Sequence, residues 1–481
     1  MKKVCYFFHI TWLRLHKEGM RLVRDLTRDT PWKLIIALAV PLLLGNLFQA
    51  SYNLVDTMIV GRYAGAQALA GVGIASPVFN LINALLMGLS VGASILVSQL
   101  FGAGKQDRLP RAVATVLWTS LAMALILTLV GQLLVGPLLT ALRTPQEDFA
   151  AAETYLRTIL CGLICNVYYN QLAGLLRGLG NTRAPLYFLM FACCLNVGLD
   201  FLFVCGLKWG VRGAALATIL SQGVSALLTW RYVLRTVPLL NPRGAAFDGA
   251  LFRTTLRFGL PMGLQQASIS LGHVLMQWLI NPFGTALIAG YAAAAKVDTL
   301  AVMPIISLGS AISAYAAQNV GAERLDRVRL GYRANNAITV GVCLVLTALV
   351  VPLRQPLMEL FVSAEEDPVL TGAVVRMGMS MLAVTPLFYC ILGLVHSALN
   401  TMAGAGDTLF SMISMVAMML LRVVLAWCLL RWFGTGYVGI WWAFPISWAI
   451  TLAFVLMYYF HGGWKQKAAL RQQRAERERI R

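Results

Sequence analysis

The stretch LNVGLDFLFV (195–204) is apolar apart from Asn196 and Asp200. Four residues apart on a helix, the two share one face. Asp56 in DTMIVG and Thr218 in GAALATILSQ are also oxygen-bearing groups set in apolar runs. A charge at mid-bilayer on a lipid-facing surface costs at least roughly 2.5–3.5 kcal/mol on insertion scales, so such residues persist where they face a cavity, pair up or bind an ion. Two carboxylates, an amide and a hydroxyl in a low dielectric offer two chemistries. They can coordinate Na⁺ through oxygens alone, the preference of a hard cation. They can also share a proton, because two poorly solvated like charges do not both stay ionised. Either event neutralises the site and lets the helices around it repack. Asp56, Asn196, Asp200 and Thr218 are therefore the candidate cation site, with Na⁺ as the candidate metal.

Helical rise supports one shared level. Asp200 lies roughly 22 Å up from the inner start of its span, and Thr218 roughly 8 Å down from the outer start of the next. Asp56 falls near the outer end of the first span and Tyr155 near the outer start of the fourth. Tyr155 joins the candidate network, as does Asn170, which lies lower. Pro41, fifteen residues before Asp56, removes a backbone hydrogen bond and is the candidate kink of the first helix. Lys296, Asp298 and Arg422 are the other ionisable residues deep inside apolar runs and are candidate cleft-lining groups. Lys296 and Asp298 are two apart and do not face each other. His273 and His396 read as hydrogen-bonded interior residues. The nine cysteines, mostly mid-helix, read as buried inert thiols.

The elements that must position these groups are long apolar helices. Of the 481 residues 59% are hydrophobic and 12% charged, and the mean hydropathy is +0.72, far from a soluble composition. A span needs roughly 20 apolar residues. Twelve stretches qualify, near 33–60, 69–101, 112–140, 152–176, 185–207, 213–236, 251–280, 288–320, 334–352, 377–402, 408–430 and 437–460. Backbone groups must pair internally in a bilayer, which long helices do; the alternating pattern of a membrane β-barrel is absent from these stretches. The expected fold is an all-α polytopic membrane protein, twelve transmembrane helices in two pseudo-symmetric six-helix bundles around a central cleft.

The net charge of +19 is distributed by loop rather than clustered for nucleic acid. The first 33 residues hold eight Lys/Arg and the tail from Lys465 holds seven. Loops on the same side hold fourteen, those on the other side eight, partly offset by Glu147, Asp148, Glu359, Glu365, Glu366 and Asp367. This is the positive-inside pattern with both termini cytoplasmic, and an even span count agrees. No nucleic-acid partner is expected. The basic, aromatic head carries no small-residue cleavage site, so it reads as an interfacial amphipathic helix rather than a signal peptide.

The chain repeats itself. At a shift of 219, Gln99, Gly102, Ala103 and Arg108 meet Gln318, Gly321, Ala322 and Arg327; at a shift of 226, Gly178, Gly180 and Thr182 meet Gly404, Gly406 and Thr408. Each half has six spans, so the halves share an orientation and a pseudo-axis along the membrane normal, the layout of a rocking transporter. The expected organisation is a basic cytoplasmic N-terminus (1–32), an N-lobe (33–236), a cytoplasmic linker (237–250), a C-lobe (251–462) and a basic cytoplasmic tail (463–481). Pro41 has a counterpart in Pro261, but Asp56, Asn196, Asp200 and Thr218 map to Met276, Arg422, Ala426 and Phe444. The scaffold is duplicated and the acids are not. GAGKQD (102–107) fails as a phosphate loop, with Gln99 and Gln106 where Gly and Ser/Thr are needed. No soluble stretch is long enough for ATP hydrolysis, so no enzyme, no cofactor and an ion gradient are expected.

DTMIVGRYAGAQALAGVGIASP (56–77), LVSQLFGAGKQDRLPR (96–111), RGLGNTRAPL (177–186) and NVGLDFLFVCGLKWGVRGAALATILSQ (196–222) together resemble the multidrug and toxic compound extrusion (MATE) transporters, over about 32–460. The resemblance implies a cation-coupled (Na⁺ or H⁺) antiporter in which two six-helix lobes export amphipathic, often cationic, drugs or metabolites by alternating access. In the branch with N-lobe carboxylates it implies Asp56, Asn196, Asp200 and Thr218 as the cation site, with Tyr155 and Asn170 resembling fourth-helix members. The branch with acids in the seventh and tenth helices does not match, since FGLPMGLQQASIS and LAVTPLFYCILGL carry none. The expected protein is a monomer in the cell membrane, its partners lipid and small amphipathic substrates. A flippase for a lipid-linked substrate and a non-transporting receptor are the competing readings; the acids of one half favour the antiporter over both.

Overall fold

The computed structural model describes residues 23–361, 368–432 and 434–465. The amphipathic head up to residue 22, the acids Glu365, Glu366 and Asp367, and most of the basic tail lie outside the described residues.

Every described element is helical. In chain order they are α1 (Pro31–Ile59), α2 (Ala66–Gly102), α3 (Leu109–Ala141), α4 (Gln146–Cys161), α5 (Leu163–Gly178), α6 (Arg183–Asp200), α7 (Gly210–Thr236), α8 (Gly249–Ile280), α9 (Thr285–Gly321), α10 (Leu325–Val350), α11 (Arg354–Glu359), α12 (Pro368–Val384), α13 (Tyr389–Gly404), α14 (Thr408–Trp432) and α15 (Val438–His461). Ten helices among the described residues are long and apolar enough to cross a membrane, and α4 with α5 makes an eleventh, bent by 48°. The twelfth expected span, α8, falls short of that hydropathy. Its 32 residues reach about 48 Å at 1.5 Å each, but Arg253, Arg257, Gln265, Gln266 and His273 lower its hydropathy.

The bend between α4 and α5 falls at Gly162. A Cβ there would come within 2.1 Å of the Ile219 side chain, so the approach of α7 leaves room for glycine alone. The chain forms two compact units. The first comprises Leu44–Gly263 and Gly321–Glu323 with the described residues before Thr30; the second comprises Thr30–Leu43, Leu264–Val320 and the described residues from Arg324 onward. Helices α1 and α8 are divided between the units two residues beyond Pro41 and two beyond Pro261. Each proline lies inside its helix, where it removes a ladder hydrogen bond and weakens helical continuity.

The repeat is visible in the packing. In the first unit α6 lies on α7, α5 on α7 and α3 on α5; in the second α14 lies on α15, α13 on α15 and α10 on α13. The connections repeat as well. In the first unit the Asn181 amide donates to the Tyr232 hydroxyl at 3.2 Å, and in the second the Tyr458 hydroxyl donates to Asp407 Oδ2 at 2.6 Å.

Leu129, Leu133, Leu227 and Phe460 are among the most exposed side chains. In a soluble protein such a surface would be costly; on spans it is the face presented to lipid. The same fact corrects the expectation of buried thiols: Cys193 and Cys343 are buried, but Cys161 and Cys194 are exposed. An apolar run does not report burial when the solvent is itself apolar.

Candidate functional site

Asp56 and Asp200 sit at matching places in their helices. Asp56 ends α1 three residues before Ile59, where a π-helical turn, Val60–Ala64, begins. Asp200 is the last residue of α6, and a second π-helical turn, Phe201–Gly206, follows at once. The two π turns pack on each other, with the Tyr63 and Phe201 rings edge to face at 6.4 Å. A π turn is a costly insertion that collects at functional sites. Beside these turns the two carboxyl groups lie close enough to interact with one another.

Asp200 is fully buried and Asp56 partly so. The Oδ1 atoms of both are buried without a hydrogen-bond partner. Asn196, one turn before Asp200, bridges to α7. With its amide turned to satisfy both neighbours, it donates to Asp200 Oδ2 at 3.3 Å and accepts from the Thr218 backbone N–H at 3.3 Å. The Thr218 hydroxyl donates to the Ala214 carbonyl at 3.2 Å, so its oxygen still has lone pairs to offer. Asp56, Asn196, Asp200 and Thr218 therefore form one connected group. Its donor set is oxygen throughout, and two buried carboxylate oxygens lack partners, which fits a proton or a hard alkali cation.

Tyr155 is buried close enough to Asp56 and Asp200 to feel both charges. Asn170 does not reach the acid pair. Its amide donates to the Asn166 carbonyl and side chain at 2.9 Å, and its own carbonyl accepts from Ser90 Oγ at 2.5 Å. Three residues went unnoticed in the sequence. Tyr52 lies near Gln49, Gln222 and Asp56, while Asn166, Thr218 and Gln222 line a small cavity with room for about one water molecule. Tyr52 precedes Asp56 by four residues and Gln222 follows Thr218 by four, so helical spacing from the named residues would have found both.

In the second unit, Asp298 Oδ1 accepts the Tyr389 hydroxyl at 2.7 Å. Lys296 is exposed, its amine 5.9 Å from the Phe361 ring centre. Arg422 is buried against Phe444. The expectation for the histidines needs correction. His273 is exposed and His396 is half-buried, and neither imidazole makes a hydrogen bond within the described residues.

A duplicated set of membrane-spanning helices with a paired acid site in one copy is the layout of a polytopic membrane transporter. The MatE family model matches the chain twice, over residues 41–202 and 261–428, and the chain belongs to that family, the MATE transporters. The two matches restate the internal repeat. "Probable multidrug resistance protein YoeA" of Bacillus subtilis (strain 168) is 27% identical over 455 residues, 92% of this chain and 96% of that protein. "Probable multidrug resistance protein NorM" of Thermotoga maritima (strain ATCC 43589) is 26% identical over 469 residues, 92% and 95% of the two chains. The solved outward-facing structure of a multidrug resistance MATE family transporter of the MOP superfamily superposes with a TM-score of 0.84, at 24% identity, covering 93% of this chain and 98% of that one. That likeness speaks to the fold.

Proposed function

We propose that this protein is a cation-coupled antiporter that exports amphipathic compounds across the cell membrane, with Asp56, Asn196, Asp200 and Thr218 as the site of the coupling ion, Na⁺ or H⁺. The observation that carries the reading is the contact between the Asp56 and Asp200 carboxyl groups in the first unit, set against Met276 and Ala426 at the matching positions of the second. Two ionised carboxylates in contact repel, and a dry setting sharpens the repulsion. A cation taken up between them removes it and gives the buried Oδ1 atoms a partner. Loss of the cation restores the repulsion and drives the two helix ends apart. Pro41 supplies a weak point in α1 through which such a change can propagate. The names of the relatives support drugs as the exported class. The loop charges support both termini being cytoplasmic in the cell membrane and argue against a nucleic-acid partner.

The test is substrate efflux from proteoliposomes under an imposed Na⁺ gradient or an imposed pH gradient, applied separately. The wild type should respond to one of the two, and Asp56→Asn and Asp200→Asn should fall to the level of empty liposomes. Normal gradient-driven transport by both variants would end the assignment.

A further inference from the structure

At the end of α15 the chain turns back on itself. Gly462 takes φ +80°, a left-handed conformation that residues with a side chain rarely adopt. The turn returns Trp464 onto the helix, where it is fully buried and its indole Nε1 donates to the Tyr459 carbonyl at 3.1 Å. Trp464 stacks on Tyr459 with centroids 5.5 Å apart and planes 23° from parallel, and Tyr459 lies against Tyr332 of α10 at 4.5 Å. Three rings thus join the end of α15 to the start of α10, on the side that the loop charges make cytoplasmic.

Three cations gather at this stack. Arg329 and Arg333 are exposed and four residues apart on one face of α10. Both lie close enough to Tyr459 for their charges to act on its hydroxyl, and Arg329 lies close enough to act on Lys465. None of the three joins an ion pair among the described residues. Asp326, one turn before Arg329, pairs with neither arginine, and Asp407 is bonded by Tyr458. Tyr459 is 5% exposed, and its buried hydroxyl bonds nothing. Like charges one turn apart destabilise a helix, and a buried hydroxyl without a partner is a further cost. An anion bearing oxygen acceptors relieves both.

Basic residues on inner loops follow from topology alone. A ring stack that sets three of them around an unpartnered hydroxyl does not. The anion comes from the bilayer: Phe460, next to Tyr459, is 74% exposed, so the lipid-facing surface borders the cluster. We propose that the inner end of the second unit is a docking site for the phosphate headgroup of an anionic lipid of the cytoplasmic leaflet. Arg329 and Arg333 hold the phosphate oxygens in charge-assisted bonds, and Lys465 adds a third charge. The Tyr459 hydroxyl donates to the same group. The site goes beyond the exporter reading and does not rest on it.

The full-length protein, stripped of lipid in a neutral detergent, is titrated with phosphatidylglycerol and phosphatidylcholine, and bound lipid is counted by native mass spectrometry. The wild type should bind phosphatidylglycerol at least about tenfold more tightly, since each basic side chain is worth about fivefold. Arg329→Gln with Arg333→Gln should weaken phosphatidylglycerol at least about tenfold. Arg231 and Arg235, likewise exposed and four apart, lie at the inner end of α7 in the first unit. Arg231→Gln with Arg235→Gln removes the same charge and should leave binding within about twofold of the wild type. Tyr459→Phe keeps every charge and should weaken binding about fivefold, the worth of one hydrogen bond. Equal losses in the two double variants would mean diffuse attraction and overturn the proposal, as would an unchanged Tyr459→Phe. Displacement of the lipid by inorganic phosphate at equal concentration would overturn it too, in favour of a soluble anion. Equal binding of the two lipids by the wild type refutes it without any variant, so a folding defect in a substitution provides no shelter.

Discussion

Asp200 and Asp56 meet through their carboxyl groups, each carried at the end of an α-helix that gives way to a π turn. Within the described residues both π turns belong to the first unit. The same unit carries this acid pair, so the backbone irregularity and the paired carboxyl groups occur together.

Burying two acids against each other is a cost to the resting fold, and removing one should stabilise it. Asp200→Asn is expected to unfold at a higher temperature than the wild type, by an amount on the order of 1 kcal/mol, while gradient-driven transport is lost. Thermal unfolding in detergent and proteoliposome transport check the two halves. A lower unfolding temperature would mean that the acid is a structural anchor.

Thr218 contributes a neutral oxygen, and its loss should weaken the ion rather than abolish coupling. Thr218→Val is expected to raise the ion concentration for half-maximal transport about tenfold, the worth of one such interaction. The maximal rate should change little. Titrating transport against the coupling ion measures both.

Gly88 and Gly92 on α2 face Gly259 and Gly263 on α8 within the first unit. A Cβ on Gly88 would come within 2.0 Å of the Gly263 nitrogen, and one on Gly92 within 2.5 Å of the Gly259 nitrogen. These are two facing small-xxx-small motifs, which let helix backbones touch in a membrane. Gly88→Leu should therefore prevent recovery of monodisperse protein. Gly73→Ala, with nothing within 4 Å, should be neutral or stabilising by roughly 0.5–1 kcal/mol. Size-exclusion profiles and melting curves of the two variants decide it.

The matched hydroxyl contacts of the two units differ in the charge of the partner. Tyr232→Phe removes a bond to an amide and should cost about 1 kcal/mol; Tyr458→Phe removes one to a carboxylate that is 3% exposed and should cost roughly 1.5–3 kcal/mol. The order of the two melting temperatures is the measurement.

What the sequence determined was the apolar spans, their duplication, the loop-by-loop alternation of charge and the restriction of the Asp56–Asp200 pair to one half. These follow from properties of single residues added along the chain: transfer energies, loop charge, and spacing at a fixed shift. Tertiary structure alone decided that the acids touch, that Asn170 turns to Asn166 rather than to them, that α4 and α5 bend at Gly162, and that Arg422 rests on Phe444. Each of these depends on how one helix is rotated against another distant in sequence, and on where a helix departs from its regular ladder. Hydropathy is blind to rotation when a helix is apolar on every side, so only packed side chains could place those groups.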